Sequence, residues 1–464
     1  MKLTSTKYRT QLIFDGDEFL RDVEFEIDSR GYLSKITPEC SPGSPFDFPI
    51  VIPGIPNCHS HSFQRAMAGL GEAHAGGNRE DSFWSWRETM YSLAEKLDRT
   101  YFQSIAAYLY MEMLESGYTS VGEFHYLHRL LESGGTSRED SIQSSSALIE
   151  ASVQTGINLC LIPVLYQLGG FQRKALEKQA PFLHENTRDF IHLIQNLKDL
   201  HPKQLIGAAI HSLRAVDKEQ IQLLLKEITS LHLPIHIHIS EQPAEVLNCQ
   251  NHYGKRPVEF LLDNFAVDET WTLIHATHID ERELTGLVRS RANICLCPIT
   301  EANLGDGIFP AGKFLLEGGK ICIGSDSNIL INPFEEMRLL EYSQRYQSLK
   351  RIRCTGTQAN SPGQTIAKQV YSTGETSLQT RVGFLKAGYR ADFLVLDSTE
   401  FDFLMQSDQS LWDFWIFAQP RGLVQEVYMA GKQVVKNGKH LQRASIQDQY
   451  KKTMAILCRE GLLA

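Results

Sequence analysis

Two histidine pairs, His59-Ser60-His61 and His236-Ile237-His238, lie at or just after short apolar runs. In an extended chain, residues two apart share a face. Either pair could therefore present two imidazoles to one ion at about 2.0–2.1 Å. Alone, such a pair is weak evidence, because solvated or capping histidines read the same way. Other residues strengthen it. Glu123, His125 and Tyr126 end one apolar run, His211 another, and His275 a third. Asp326 follows the last, within Gly-Ser-Asp-Ser-Asn, and Glu241 stands three residues beyond His238. Imidazole and carboxylate ligands with a position left open are a donor set for catalytic Zn²⁺, with Fe²⁺ as a second choice. The chemistry they suggest is metal-assisted hydrolysis.

Such residues work together only if the fold makes them converge. The apolar runs are Val51–Ile55, Tyr118–Phe124, Leu159–Leu165, Ile206–Ile210, Ile235–Ile239, Trp271–Ala276, Ala292–Cys297 and Ile321–Ser325. Each is short enough for a strand buried on both faces. Helix-like stretches such as Tyr101–Glu115, Ser141–Thr155 and Lys218–Leu231 separate them. That alternation predicts an α/β fold, a (β/α)8 barrel of the TIM type, in which all strand C-terminal ends meet on one face. Short strands punctuated by turns also open the chain (Gln11–Phe14, Val23–Ile27, Leu33–Ile36) and recur near its end (Ala391–Asp397, Val424–Val435). They predict a small β-sandwich domain built from both chain ends, residues 1–50 and 376–440, around a metal-dependent barrel of residues 51–375. A C-terminal helix is expected within 441–464, read as Ser445–Leu463. The polar stretch Gly69–Asp81 reads as a loop reaching over the site.

Composition narrows the class. The chain has 464 residues, a net charge of −9, 42% apolar and 22% charged residues. A negative charge of this size argues against a nucleic-acid binder, yet clustered arginines can still make a cationic pocket. The first residues lack a signal-peptide core, and no run of about 18 apolar residues suggests a membrane span. The nine cysteines are scattered and odd in number, which favours free thiols and a cytoplasmic location.

In order and context, PGIPNCHSH, HIHISE, HATH and GSDSN resemble the amidohydrolase superfamily: HxH after the first strand, His after the fifth and sixth, Asp after the eighth. In its deaminase branch the fifth-strand ligand begins an H-x-x-E motif, here His238-Ile-Ser-Glu241, which selects His238 over His236. The resemblance implies metal ligands His59, His61, His238 and Asp326. Binuclear members use a fourth-strand lysine. IGAAIHSLRA has none, so one divalent ion is expected. Glu241 would then move protons, His275 would polarise the water or stabilise the tetrahedral intermediate, and Asp326 would shuttle the remaining proton.

NCHSHSFQRAMAGLGE, DSFWSWRETMY, GYTSVGEFHYLH, AIHSLRAV and CPITEANLGDGIFP further resemble the formimidoylglutamate deiminase family. That family turns N-formimidoyl-L-glutamate and water into N-formyl-L-glutamate and ammonia, in histidine degradation. The resemblance implies a substrate site of Gln64, Arg87, Tyr126, His211 and Arg214, the two guanidinium forks suiting a small-molecule dicarboxylate. His125, His128 and His236 are expected outside it. Relatives of this kind also imply a homodimer. The alternative is another amidohydrolase deaminase, acting on an aminopurine, a triazine or a guanidino acid. A nucleobase would want an apolar slot rather than two arginines.

Overall fold

The structure is a computed structural model that describes residues 5–39, 45–72, 83–131, 137–356, 361–398, 410–418 and 422–459. The chain opens with β1 (Thr6–Phe14), β2 (Phe19–Ile27), β3 (Leu33–Thr37) and β4 (Phe48–Pro53). The barrel follows: β5 (Ile55–Ser60), β6 (Tyr118–His125), β7 (Asn158–Leu165), β8 (Leu205–Ile206), β9 (Ala208–Ile210), β10 (Ile235–Ile239), β11 (Trp271–His275), β12 (Asn293–Leu296) and β13 (Lys320–Ile323). Late strands β14 (Phe393–Leu396), β15 (Val424–Met429), β16 (Lys432–Lys436) and β17 (Lys439–His440) return to the first four.

The barrel strands pair in parallel in the order β5-β6-β7-β9-β10-β11-β12-β13, with β8 beside β7. A bridge between Ser60 and Asp326 closes the ring. Every residue of β5, β6, β11 and β12 is buried, as expected for strands covered by helices outside and filled by side chains inside. The helices are Arg99–Ser116, Ser137–Thr155 and Lys218–Ile228 where the periodicity placed them, each within a few residues.

One strand differs from the sequence reading. Val51–Ile55 was expected as the first barrel strand, but Phe48–Pro53 pairs with β1 and β14 in the small sheet. The first barrel strand is Ile55–Ser60, and the chain changes partner at Gly54. Its N–H donates to Asp392 O, whereas Ile55 N donates to Gly117 O. A Cβ on Gly54 would lie 1.9 Å from Thr119 Oγ1, so no other side chain fits this crossing. One continuous apolar run thus feeds two sheets, and hydrophobicity cannot mark the border between them.

The small sheet has the order β17-β16-β15-β14-β4-β1-β2-β3, assembled from both chain ends. Tyr8, Phe25, Phe48, Phe393 and Tyr428 meet on one face, with ring centroids 4.5–6.4 Å apart. The helix Pro362–Leu378 packs against the strand starts, opposite the site. Its Ser377 O faces His236 Nε2 at 3.0 Å, which keeps His236 one layer below His238. The last helix, Arg443–Arg459, stacks Tyr450 on Tyr108 at 3.9 Å. No described helix is long and apolar enough to cross a membrane. Most of the expected loop Gly69–Asp81 lies outside the described residues. The described cysteines are free thiols.

Candidate active site

The C-terminal ends of the barrel strands bring His59, His61, His238, His275, Glu241 and Asp326 together, all buried. The closure of the barrel runs through them. Asp326 N donates to His59 O, and His61 N donates to Asp326 O, each at 3.0 Å. A Cβ on Gly324 would sit 2.7 Å from that of His59, so glycine is what lets the first and last strands meet here. His275 and Asp326 themselves have left-handed backbones, φ 67° and 45°, and Ser240 has φ 52°. Strain of this kind persists only where surroundings over-determine it. Asn328 supplies part of that hold: its Nδ2 donates to Asp326 O, His61 O and Ser60 Oγ. Glu245 supplies another part, accepting from Ser240 N and Glu241 N at 3.1 Å.

The imidazoles have set tautomers. His61 Nδ1 is 3.0 Å from Phe124 O, and His238 Nδ1 is 3.2 Å from His211 O. A carbonyl only accepts, so each Nδ1 carries a proton, and in the neutral ring Nε2 then turns a lone pair inward. His61 Nε2 then faces Asp326 Oδ1 at 3.2 Å, and His238 Nε2 faces His59 Nε2 at 3.0 Å. Lone pairs set against a carboxylate repel unless a cation lies between them. The donor set therefore fits a divalent metal ion. Ligand atoms of His59, His238, His275 and Asp326 all lie within 4.8 Å of one another. That group contains His275 where the sequence reading has His61, so both histidines border the ion position.

Charge separates the two. Burial opposes the His275 cation, but Glu241, Glu301 and Asp326 outweigh it and raise the imidazole to about 10. Those carboxylates surround His275 as a set, whereas His61 pairs with Asp326, which suits His275 to carrying a proton. Its Nδ1 donates to Glu301 Oε1 at 3.2 Å. Its Nε2 lies 3.8 Å from Glu241 Oε1 and 3.7 Å from Asp326 Oδ2. Burial pushes the Glu241 carboxyl up, and it opposes ionisation of Asp326, whose carboxyl is nevertheless held well below its usual range when, with no ion between them, His59 and His61 donate to it. Carboxyls driven apart in this way suit different roles.

Beside these groups opens a pocket whose wall includes Gln64, Arg87, Tyr126, His211 and Arg214, the residues expected at the substrate site. Gln64 Nε2 donates to Tyr126 Oη at 2.7 Å. Arg87 lies 5.4 Å over the Tyr91 ring, so the guanidinium packs on a phenol face. Trp86, Met90, Tyr91, Tyr166 and Leu304 complete much of the wall. His125 and His128 are buried elsewhere, facing Ser144 Oγ and Val164 O. The sequence reading missed Glu301, Glu245, Tyr91 and Tyr166. Glu301 stands within CPITEANLGDGIFP, but a glutamate in a helix's first turn has an ordinary capping explanation.

Residues 50–434 match the amidohydrolase family. The formimidoylglutamate deiminase of Pseudomonas aeruginosa is 42% identical over 90% of this chain and 92% of its own. A 5-methylthioadenosine/S-adenosylhomocysteine deaminase of Halalkalibacterium halodurans is 26% identical over 83% of this chain and 81% of its own. Among solved structures, an amidohydrolase from Brucella melitensis superposes with a TM-score of 0.89 at 35% identity, covering 99% of this chain and 100% of that one.

Proposed function

The chain belongs to the amidohydrolase family, and from that premise we propose that it hydrolyses N-formimidoyl-L-glutamate to N-formyl-L-glutamate and ammonia. The observation that carries the substrate is the pairing of Arg87 and Arg214 in one pocket wall beside Glu241 and the histidine cluster. Guanidinium forks are the side chains best suited to a carboxylate-bearing substrate such as this one. A purine carries no carboxylate for them to bind. The reaction is a step of histidine degradation.

His59, His61, His238 and Asp326 would hold one divalent ion, with Zn²⁺ the first choice for three imidazoles and a carboxylate. When bound, the ion supplies Lewis-acid activation of a water, whose pKa falls from 15.7 to about 7 in zinc sites. Glu241 takes a proton at its carboxylate and returns it to the leaving nitrogen, its raised pKa suiting it to both halves of that transfer. His275, oriented by Glu301, offers its Nε2–H to charge developing on the attacked carbon's substituents. Arg87, Arg214, Gln64, Tyr126 and His211 bind and orient the substrate.

A panel assay for released ammonia tests this reading. N-formimidoyl-L-glutamate should turn over, and adenosine, guanine and triazines should be poor substrates. Turnover of a purine with an inert formimidoylglutamate would overturn it.

A further inference from the structure

Tyr91 and Tyr166 line the pocket and are almost fully buried. Tyr91 comes from the helix Phe83–Ala94, and Tyr166 follows β7. Both meet one amide. Gln179 Nε2 lies 2.6 Å from Tyr166 Oη and 3.2 Å from Tyr91 Oη. The amide cannot be turned round, because Gln179 Oε1 accepts from Leu176 N at 2.8 Å. Its NH₂ therefore faces the phenols, and an NH₂ only donates. Both phenol oxygens act as acceptors there, and each O–H proton must be directed elsewhere.

The two hydroxyls are within reach of each other, which uses at most one of those protons. No other acceptor among the described residues takes the second. Burial, ahead of Tyr166, holds the Tyr91 phenol protonated. Arg87 lies over the Tyr91 ring, and Arg214 interacts with both phenols. This stretch of wall presents an O–H beside two cationic guanidiniums, and the group that accepts from such a set is a carboxylate.

We propose that Tyr91 and Tyr166, oriented by Gln179, are specificity-determining residues that complete a carboxylate subsite with Arg87 and Arg214. The inference rests on the substrate class proposed above. Gln179 touches no substrate; it is a positioning residue that turns the phenol protons into the pocket.

The test uses the metal-loaded enzyme with Y91F, Y166F, the double variant and Gln179→Glu, which has no N–H to give and draws the O–H protons to itself. Turnover is followed with N-formimidoyl-L-glutamate and with two monoacids, the N-formimidoyl derivatives of 4-aminobutyrate and 2-aminobutyrate. Binding of N-formyl-L-glutamate is followed by calorimetry. In the double variant, KM for the diacid and Kd for the product should rise about 10- to 100-fold, the range for hydrogen bonds to a charged group, with kcat within about threefold. For one monoacid, the one lacking the carboxylate bound here, kcat/KM should match wild type. Gln179→Glu should show the same split with its metal content unchanged. Equal losses on all three substrates, or an unchanged KM and Kd, would overturn the inference. If the double variant does not fold, the single variants read the same split. A wild type that binds N-formyl-L-glutamate through these tyrosines but does not turn over the diacid would refute the proposed function and leave the subsite standing.

Discussion

Glu241 and His275 face each other across 3.8 Å, and Glu301 backs His275 from the far side. Their roles separate by substitution. Glu241→Gln should keep the ion, because the ligands are untouched, and should lower kcat by about 10²–10⁴-fold. Metal analysis beside steady-state rates checks this; retained turnover would remove Glu241 from proton transfer. Glu301→Ala should lower kcat by about 10- to 100-fold, the usual cost of losing a partner that orients a site histidine, with KM little changed. Arg214→Ala should weaken substrate binding by about 2–5 kcal/mol and be read mainly in KM. At this scale the sequence was most legible where residue types are rare in combination. HxH, HxxE and the arginines stand out because few structural needs call for them. Tyr91, Tyr166 and Gln179 were not legible, since a buried aromatic or amide in a helix or turn has a packing explanation that periodicity cannot displace.

Three strand ends carry the strain of the site. Ser240, His275 and Asp326 hold left-handed backbones at the ends of β10, β11 and beyond β13. Asn328, itself at φ 58°, ties the last of these to β5 through Ser60 and His61. Asn328→Gly permits the backbone but removes the side-chain bonds, whereas Asn328→Ala removes the bonds and adds left-handed strain of roughly 1–2 kcal/mol. Both should loosen metal binding, and chemical denaturation should find the alanine variant the less stable. Equal stability would show that the turn is not strained. The alternation of strands and helices was readable here, because strands buried on both faces stand out as short apolar runs. The partner change at Gly54 was not. Val51 and Ile55 are equally apolar, and the border shows only in three dimensions, in the change of backbone partner at Gly54 and its crowding by Thr119.

Across the whole molecule, burial decides the acid response. His128 and His236 are lowered to about 4 by burial, and burial also drives His125 and His184 well below the ordinary imidazole value. These rings fold neutral but titrate near 6.5 once unfolded. Their contribution is complete above pH 6.5 and is lost as the pH falls toward 4, because the unfolded chain takes up protons that the folded one refuses. For His236 alone the loss reaches roughly 3 kcal/mol. Buried acids raised by desolvation, such as Glu123 and Glu336, act in the opposite sense, so the His236 contribution is read by difference. Urea unfolding of chelated protein at pH 7 and pH 4 should show His236→Asn losing less stability than the wild type. An equal loss would mean that His236 is not held neutral. The net charge of −9 makes the arginine-lined pocket a local exception, which composition alone could not locate.

A deiminase site of this kind works with a single ion. Metal-free protein should be titrated with Zn²⁺ while ammonia release from N-formimidoyl-L-glutamate is followed. The rate should climb in proportion to added ion and level off at one equivalent per chain. A plateau only at two equivalents, or no ammonia at any ratio, would contradict it.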